Sequence, residues 1–389
     1  MKFLINCSNL KAGGGLQVAD SVCCQLGKYP QHHFVVVLSP YMQSTEERLN
    51  GLPNVEVAVY EVPNTLKSIV FGRDAFLDSL VKEKNISAVL TVFGPSRWSP
   101  RVPHLSGFAM PHLVIPESPY FTQMSLLERV KWFFWCWFRK WSFKKSANYF
   151  WTENPFISSR LEKLLGVSSN IESDCSRIVS SKKRKVITVS NYYNQVFDDP
   201  QSWRSHPLEP FDGVTCLSVS AYYPHKNFPI LVEAARVLRH EHPVFNFRFV
   251  LTFDKGLMAV PDEVWEHFVF TGKVDVSECP DLYRQSDIMV MPTLLECFTA
   301  TYPEAMRMEV PIVTTDLEFA RGLCEDAACY YSAVDAKACA EAIYKVATDK
   351  EYAEKLVANG KEQLKKFDNY EQRADKLIGI LEEMVSENK

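Results

Sequence analysis

The chain has 389 residues, 47% hydrophobic and 23% charged, with a formal net charge of −4 at pH 7. This is ordinary globular composition with length for two domains, and the lack of a basic excess argues against nucleic acid as a partner. No apolar run reaches the ~18 residues of a membrane span, the start "MKFLINCSN" has too short an apolar run for a signal peptide, and the 11 cysteines are scattered with no C-x-x-C, so reduced cytosolic thiols and no structural metal are expected.

In chain order, short apolar runs alternate with amphipathic stretches of helical period, which predicts parallel α/β sheets. The first half offers strands at "KFLINCS", "HFVVVLS", "VEVAVYEV", "ISAVLTVF", "PHLSGFAM", "NYFWTEN" and "KVITVSN". Between the first strand and first helix lies "SNLKAGGGLQVAD". Its Gly14 and Gly15 either let the backbone approach an anionic ligand at a helix N-terminus or merely form a tight turn. The spacing is neither the dinucleotide G-x-G-x-x-G nor a Walker loop.

The stretch "RVKWFFWCWFRKWSFKK", Arg129 to Lys145, follows. On a helical wheel Val130, Phe133, Phe134, Trp137 and Trp141 share one face, expected to pack on the first domain. Arg129, Lys131, Trp132, Trp135, Arg139 and Phe143 share the other. Trp mixed with Lys and Arg is the composition of a membrane-interface surface, so this second face is expected to touch a membrane. The competing readings are an aromatic core helix with snorkelling cations, or a protein–protein contact.

The proline-rich polar segment "DDPQSWRSHPLEP" is the expected linker, around residues 197–210. Beyond it the strand pattern restarts with "VTCLSVSAY", "FRFVLTF", "HFVFTGKV", "DIMVMPT", "PIVTTD" and "CYYSA". This predicts two doubly wound domains, 1–197 and 198–369, facing a cleft that receives ligand at the strand carboxyl ends. Residues 370–389 form a last amphipathic helix. Lys226, in "SAYYPHKN", stands after the first strand of the second half, either as a diphosphate partner or as a solvated loop lysine. In "PTLLECFTATYPEAM", Glu296 and Glu304 flank a helix N-terminus. They can accept hydrogen bonds from sugar hydroxyls, or serve as a capping acid and a surface acid.

Glu296 and Glu304 match the E-x7-E motif of the retaining glycosyltransferases of family 4, also called group 1. The chain resembles that family along nearly its whole length, through the glycine loop, "KN", "FTGKV", "LYRQSDIMVMPT" and the trailing helices, all in the family's order. The resemblance implies the GT-B fold: two Rossmann-like domains, with the C-terminal helix crossing back to the first. It implies a nucleotide-sugar donor and no cofactor or metal; consistently, no D-x-D occurs. Glu304 would hold the ribose hydroxyls and Glu296 the donor sugar. Backbone N–H groups at Phe298, Thr299 and Ala300 would bind the diphosphate, and Lys226 would neutralise it. Gly272, Lys273 and Val274 would border the base, with Gly14 and Gly15 approaching the donor or acceptor from the first domain.

There are departures. Ala221 replaces an arginine that many relatives carry. The motif reads Glu296-Cys297-Phe298-Thr299, without two usual glycines, although Thr299 and Thr301 offer hydroxyls. His112, the nearest match to a family histidine beside the transferred sugar, is either a catalytic-site residue or a loop histidine. His104 is expected to pack in its strand.

Many relatives extend lipid-linked glycans at the inner face of the bacterial cytoplasmic membrane. The expectation is therefore a peripheral cytoplasmic transferase acting on a hydroxyl of a surface-polysaccharide precursor. A nucleotide-sugar epimerase or hydrolase would consume donor without an acceptor. A degenerate, non-catalytic membrane partner would not turn donor over at all.

Overall fold

The computed structural model describes residues 1–11, 13–63, 71–167 and 184–388. The chain divides into two compact units. Unit 1 comprises Met1–Pro116, Met124–Asn191 and Asp368–Lys389; unit 2 comprises Glu117–Gln123 and Tyr192–Phe367.

Unit 1 is built on seven parallel strands: β1 (Lys2–Asn6), β2 (His33–Leu38), β3 (Val55–Val59), β4 (Ala88–Thr91), β5 (His104–Gly107), β6 (Tyr149–Thr152) and β7 (Lys185–Thr188). Their order is β3-β2-β1-β4-β5-β6-β7. Central strands read as continuous apolar runs because both faces are covered, and Phe34, Val35, Val36, Val37 and Leu38 of β2 are all buried. The helices are α1 (Gly14–Cys23), α2 (Gln43–Leu49), α3 (Ala75–Glu83), α4 (Leu126–Ser146) and α5 (Pro155–Leu165). Local chemistry sets α5 at both ends. Asn154 accepts from the Phe156 N–H, Pro155 opens the first turn, and Gly166 takes the left-handed conformation at φ 69°.

Unit 2 has six parallel strands: β8 (Val214–Ser218), β9 (Phe247–Leu251), β10 (Phe268–Phe270), β11 (Ile288–Met291), β12 (Ile312–Thr315) and β13 (Ala328–Tyr331). The order is β10-β9-β8-β11-β12-β13. Its helices are α6 (Ile230–Glu241), α7 (Cys279–Arg284), α8 (Thr301–Arg307), α9 (Glu318–Cys324), α10 (Ala336–Thr348) and α11 (Lys350–Leu364). Strand order reverses between β8 and β11, which pair directly. Open parallel sheets take ligands outside the carboxyl ends of the strands at such a switch point.

The last helix, α12 (Tyr370–Glu387), starts with a capping box of Asn369 and Gln372. Leu377, Ile378, Leu381, Met384 and Val385 enter the core of unit 1. Arg373, 1% exposed, is fastened inside: its guanidinium donates to Asn191 Oδ1 and, at 2.6 Å, to Ser21 Oγ. Burial lowers its pKa to about 10, against the pull of Glu153 and Asp368.

The orientation of α4 corrects an expectation. Phe143, assigned to the outward face, is fully buried, with ring centroids 5.0 Å from Phe108 and 5.8 Å from Phe150. Trp132 and Trp135 are half-buried and stacked on each other at 4.7 Å, and Arg139 lies over the Trp135 ring. Of the face expected to pack inward, Val130, Phe133, Phe134 and Trp137 are exposed and Trp141 is half-buried. The physical reason lies at the C-terminal end of the helix. Ser99 Oγ and the His104 ring bond the Ser146 carbonyl, and Arg184 donates to that of Lys144. These anchors and Phe143 set the rotation. Among the described residues, no helix is long and apolar enough to cross a membrane.

Candidate active site

The site in unit 2 forms where β8 and β11 end. After β8 the chain makes a short turn over Pro224–Lys226, and Asn227 turns it into α6 in the left-handed region at φ 54°. This places Lys226 inward, 8% exposed. After β11, Thr293 and Leu294 clasp the same turn: the Leu294 N–H donates to the His225 carbonyl at 2.8 Å. Glu296 follows. Its carboxylate closes an ion pair with Lys226 Nζ at 2.5 Å, accepts from the Thr293 hydroxyl at 2.9 Å and lies 4.0 Å from His225 Nε2. The segment Glu117–Gln123 braces this turn, with Ser118 Oγ donating to the Leu294 carbonyl at 2.7 Å.

Glu304 enters from the first turn of α8 and is 9% exposed. Burial pushes its carboxyl up from 4.5 to about 7, against the Tyr283 hydroxyl and the Lys226 charge, which both pull it down. Tyr283 is fully buried on α7, and its hydroxyl is 3.1 Å from Glu304 Oε2. The same burial, followed by the Glu304 charge, holds the Tyr283 phenol well above its usual range. Cys279, also on α7, is raised by burial and then by Glu304. His225 is pushed down by burial. One cation thus serves two carboxylates. One of these is paired; the other gains a negative charge only at the cost of desolvation.

Of the residues expected here, Lys226, Glu296 and Glu304 come together. The segment Phe298, Thr299 and Ala300 leads into α8. The Thr299 and Thr301 hydroxyls bond each other at 2.7 Å, so one proton is committed within the pair. The Phe298 ring stands edge-on to Phe367. Gly272, after β10, has φ +73°, and a Cβ there would come within 3.2 Å of Asp254 Oδ1, so backbone geometry requires glycine. Lys273 beside it is exposed and Val274 is half-buried. Tyr283, Thr293 and His225 were not assigned from sequence. Tyr283 lies in the quoted "LYRQSDIMVMPT", yet nothing local announces a partner 21 residues on.

Three expected residues belong to unit 1. A Cβ at Gly14 would meet nothing within 4 Å, and one at Gly15 only Leu10 and Phe93 side chains at ordinary contact distance. Local packing therefore does not demand either glycine; Gly13, at φ 73°, is the one the backbone needs. His112 has its ring 5.2 Å from Trp132 and 4.7 Å from Trp135, and its carbonyl faces the Cys136 thiol. The ring is thus packed against α4.

Residues 201–363 match the family profile described as glycosyl transferases group 1. No curated protein matches the sequence. Among solved structures, a glycosyltransferase from Rickettsia africae is 16% identical with a TM-score of 0.67, covering 99% of this chain and 98% of its own. Anabaena HepE, in complex with UDP and glucose, is 13% identical with a TM-score of 0.69, covering 98% and 99%. WaaG, a glycosyltransferase involved in lipopolysaccharide biosynthesis, is 14% identical with a TM-score of 0.63, covering 98% and 99%. The switch-point cluster lies inside the region, residues 201–363, that matches the group 1 glycosyl transferase profile, and the chain shares the GT-B fold of these solved glycosyltransferases.

Proposed function

We propose that the protein is a retaining hexosyltransferase of family 4. It would move a sugar from a nucleotide-diphosphate donor to a hydroxyl of a lipid-linked surface-polysaccharide precursor, working peripherally at the inner face of the bacterial cytoplasmic membrane. The observation that carries this reading is the placement of Lys226, Glu296 and Glu304 at the β8/β11 switch point.

Each group has a task. Glu304 accepts the ribose hydroxyls and Glu296 the hydroxyls of the transferred sugar. The Gly272–Val274 loop borders the base. Lys226 exchanges its Glu296 partner for the diphosphate, aided by the backbone N–H groups of Phe298, Thr299 and Ala300. The C1–O bond to phosphate breaks as the acceptor oxygen bonds C1 on the same face. The departing phosphate oxygen takes the acceptor proton, so no protein nucleophile is needed. Negative charge grows on the leaving diphosphate, where a preorganised lysine in a dry site acts most strongly. The reaction uses no metal and no resident cofactor. Ala221 removes one family cation, and Lys226 carries the phosphate charge.

The test is donor binding by thermal shift against UDP-, GDP-, ADP- and TDP-sugars, with and without EDTA. A ligand at about 100 times its Kd stabilises a fold by roughly 2.7 kcal/mol. One nucleotide class should shift the wild type, indifferent to EDTA, and fail with Glu304→Ala and Lys226→Ala. No shift with any donor would favour a degenerate transferase instead. Turnover without acceptor would favour an epimerase or hydrolase.

A further inference from the structure

Helix α4 leaves a large apolar face with nothing of unit 1 upon it. Leu126 is 77% exposed, Leu127 76%, Val130 50%, Phe133 67%, Phe134 63% and Trp137 64%. At 3.6 residues per turn these side chains fall in one arc of about 120°; Phe138, at its edge, widens the arc to roughly 140°. Soluble proteins seldom expose so many large apolar groups side by side, and a contiguous patch of this kind marks a binding surface.

The charges around the arc indicate what binds. The helix carries Arg129, Lys131, Arg139, Lys140, Lys144 and Lys145 against one acid, Glu128. That acid is committed to the N-cap, accepting from the Ser125 N–H and hydroxyl. On the wheel, Arg129 and Lys140 border the apolar arc on one side and Lys131 on the other, while Lys144 and Lys145 are exposed at its C-terminal end. Apolar insertion flanked by cations is the chemistry of an anionic lipid surface: rings and aliphatic chains enter the acyl boundary while ammonium and guanidinium groups meet phosphates. A partner protein's apolar groove would not call for cations along both borders.

We infer that the outward face of α4, with Leu126, Leu127, Val130, Phe133, Phe134 and Trp137 at its centre, docks in the plane of an anionic phospholipid bilayer. Arg129, Lys131 and Lys140 serve as headgroup contacts. The inward aromatics Trp132, Trp135 and Phe143 hold the helix on its unit and stay out of the lipid. The inference sharpens the membrane part of the proposed function, on which it rests for biological setting, yet it fails separately, because vesicle binding needs neither donor nor turnover.

The experiment is flotation of the full chain with vesicles of phosphatidylcholine alone and of phosphatidylcholine mixed with phosphatidylglycerol. The wild type should float with the anionic vesicles, and raised salt should weaken binding. The triple variant Phe133→Ser, Phe134→Ser, Trp137→Ser should bind at least about tenfold more weakly while keeping the wild-type Tm and donor-induced thermal shift, since all three side chains already face solvent. Val244→Ser, at a 96% exposed position of unit 2, should leave vesicle binding unchanged. Tryptophan emission should shift to the blue with anionic vesicles in the wild type, and Trp137→Phe should reduce that shift. Equal flotation of wild type and triple variant would overturn the inference. So would failure to bind either vesicle, including a case in which the face instead drives concentration-dependent self-association.

Discussion

Replacing Glu304 with glutamine should uncouple donor binding from pH while making the free protein more stable in mild base. The carboxyl titrates at about 7 in the fold against 4.5 in an open chain. A carboxyl raised on folding contributes stability fully present below its unfolded value and lost as pH climbs through its folded value. The gap of 7 less 4.5, at about 1.4 kcal/mol per pH unit, is roughly 3 kcal/mol. By about pH 8 the wild type has forfeited that amount and Glu304→Gln has not, so the variant should unfold later in urea at pH 8 and match the wild type near pH 4. Donor binding runs the other way. Ribose hydroxyls donate to the ionised carboxylate, so a bound proton must leave first, and affinity should fall about tenfold from pH 8 to pH 6. Nucleotide sugars are phosphodiesters and do not titrate in that range. Calorimetry in two buffers of different ionisation enthalpy should count nearly one proton released at pH 6 and almost none at pH 8. Among the groups around the site, Tyr283 and Cys279 are raised out of the window and His225 is lowered, so His225→Asn serves as the control. If wild type and Glu304→Gln show the same affinity profile and proton count, the carboxylate does not hold the donor.

Tyr283→Phe removes the hydroxyl that pulls Glu304 down, so the midpoint of the donor-affinity profile should move to higher pH, with near-normal affinity restored above it. Lys226→Met should reduce kcat by about 10²–10³-fold, measured by single-turnover transfer, since charge on the leaving diphosphate would lack its counter-ion. Arg373→Met should cost unit 1 roughly 3 kcal/mol in denaturant titration, because Ser21 and Asn191 lose a buried partner. His112→Leu should lower Tm by disturbing the stack on Trp132 and Trp135 while leaving kcat within about threefold.

Central strands such as β2 and β11 were legible because they are buried along their length and read as apolar runs. Glu296 and Glu304 were singled out by the resemblance, whose E-x7-E motif they match; their spacing alone allowed a capping acid and a surface acid, and the structure buries both carboxylates. The rotation of α4 was not legible. A helical wheel tells which side chains share a face, but not which face turns inward when both are aromatic. That was decided by Phe143 meeting Phe108 and Phe150, and by His104 and Ser99 bonding the last carbonyl, all of which are long-range contacts. Tyr283 escaped for a related reason: a tyrosine ahead of a buried strand looks like packing until its hydroxyl is seen against Glu304.

The docking of α12 into unit 1 bears on how the chain is made. During synthesis the first seven strands emerge with a groove that Leu377, Ile378, Leu381 and Met384 will fill only after about 180 more residues have been translated. At roughly 5–20 residues per second that is an interval of ten to forty seconds. Unit 2 has all its strands in hand before unit 1 is complete, so the later-born half should mature first. The earlier-born half would meanwhile present an open apolar seam to chaperones, and a ribosome stalled shortly before Tyr370 would leave it there.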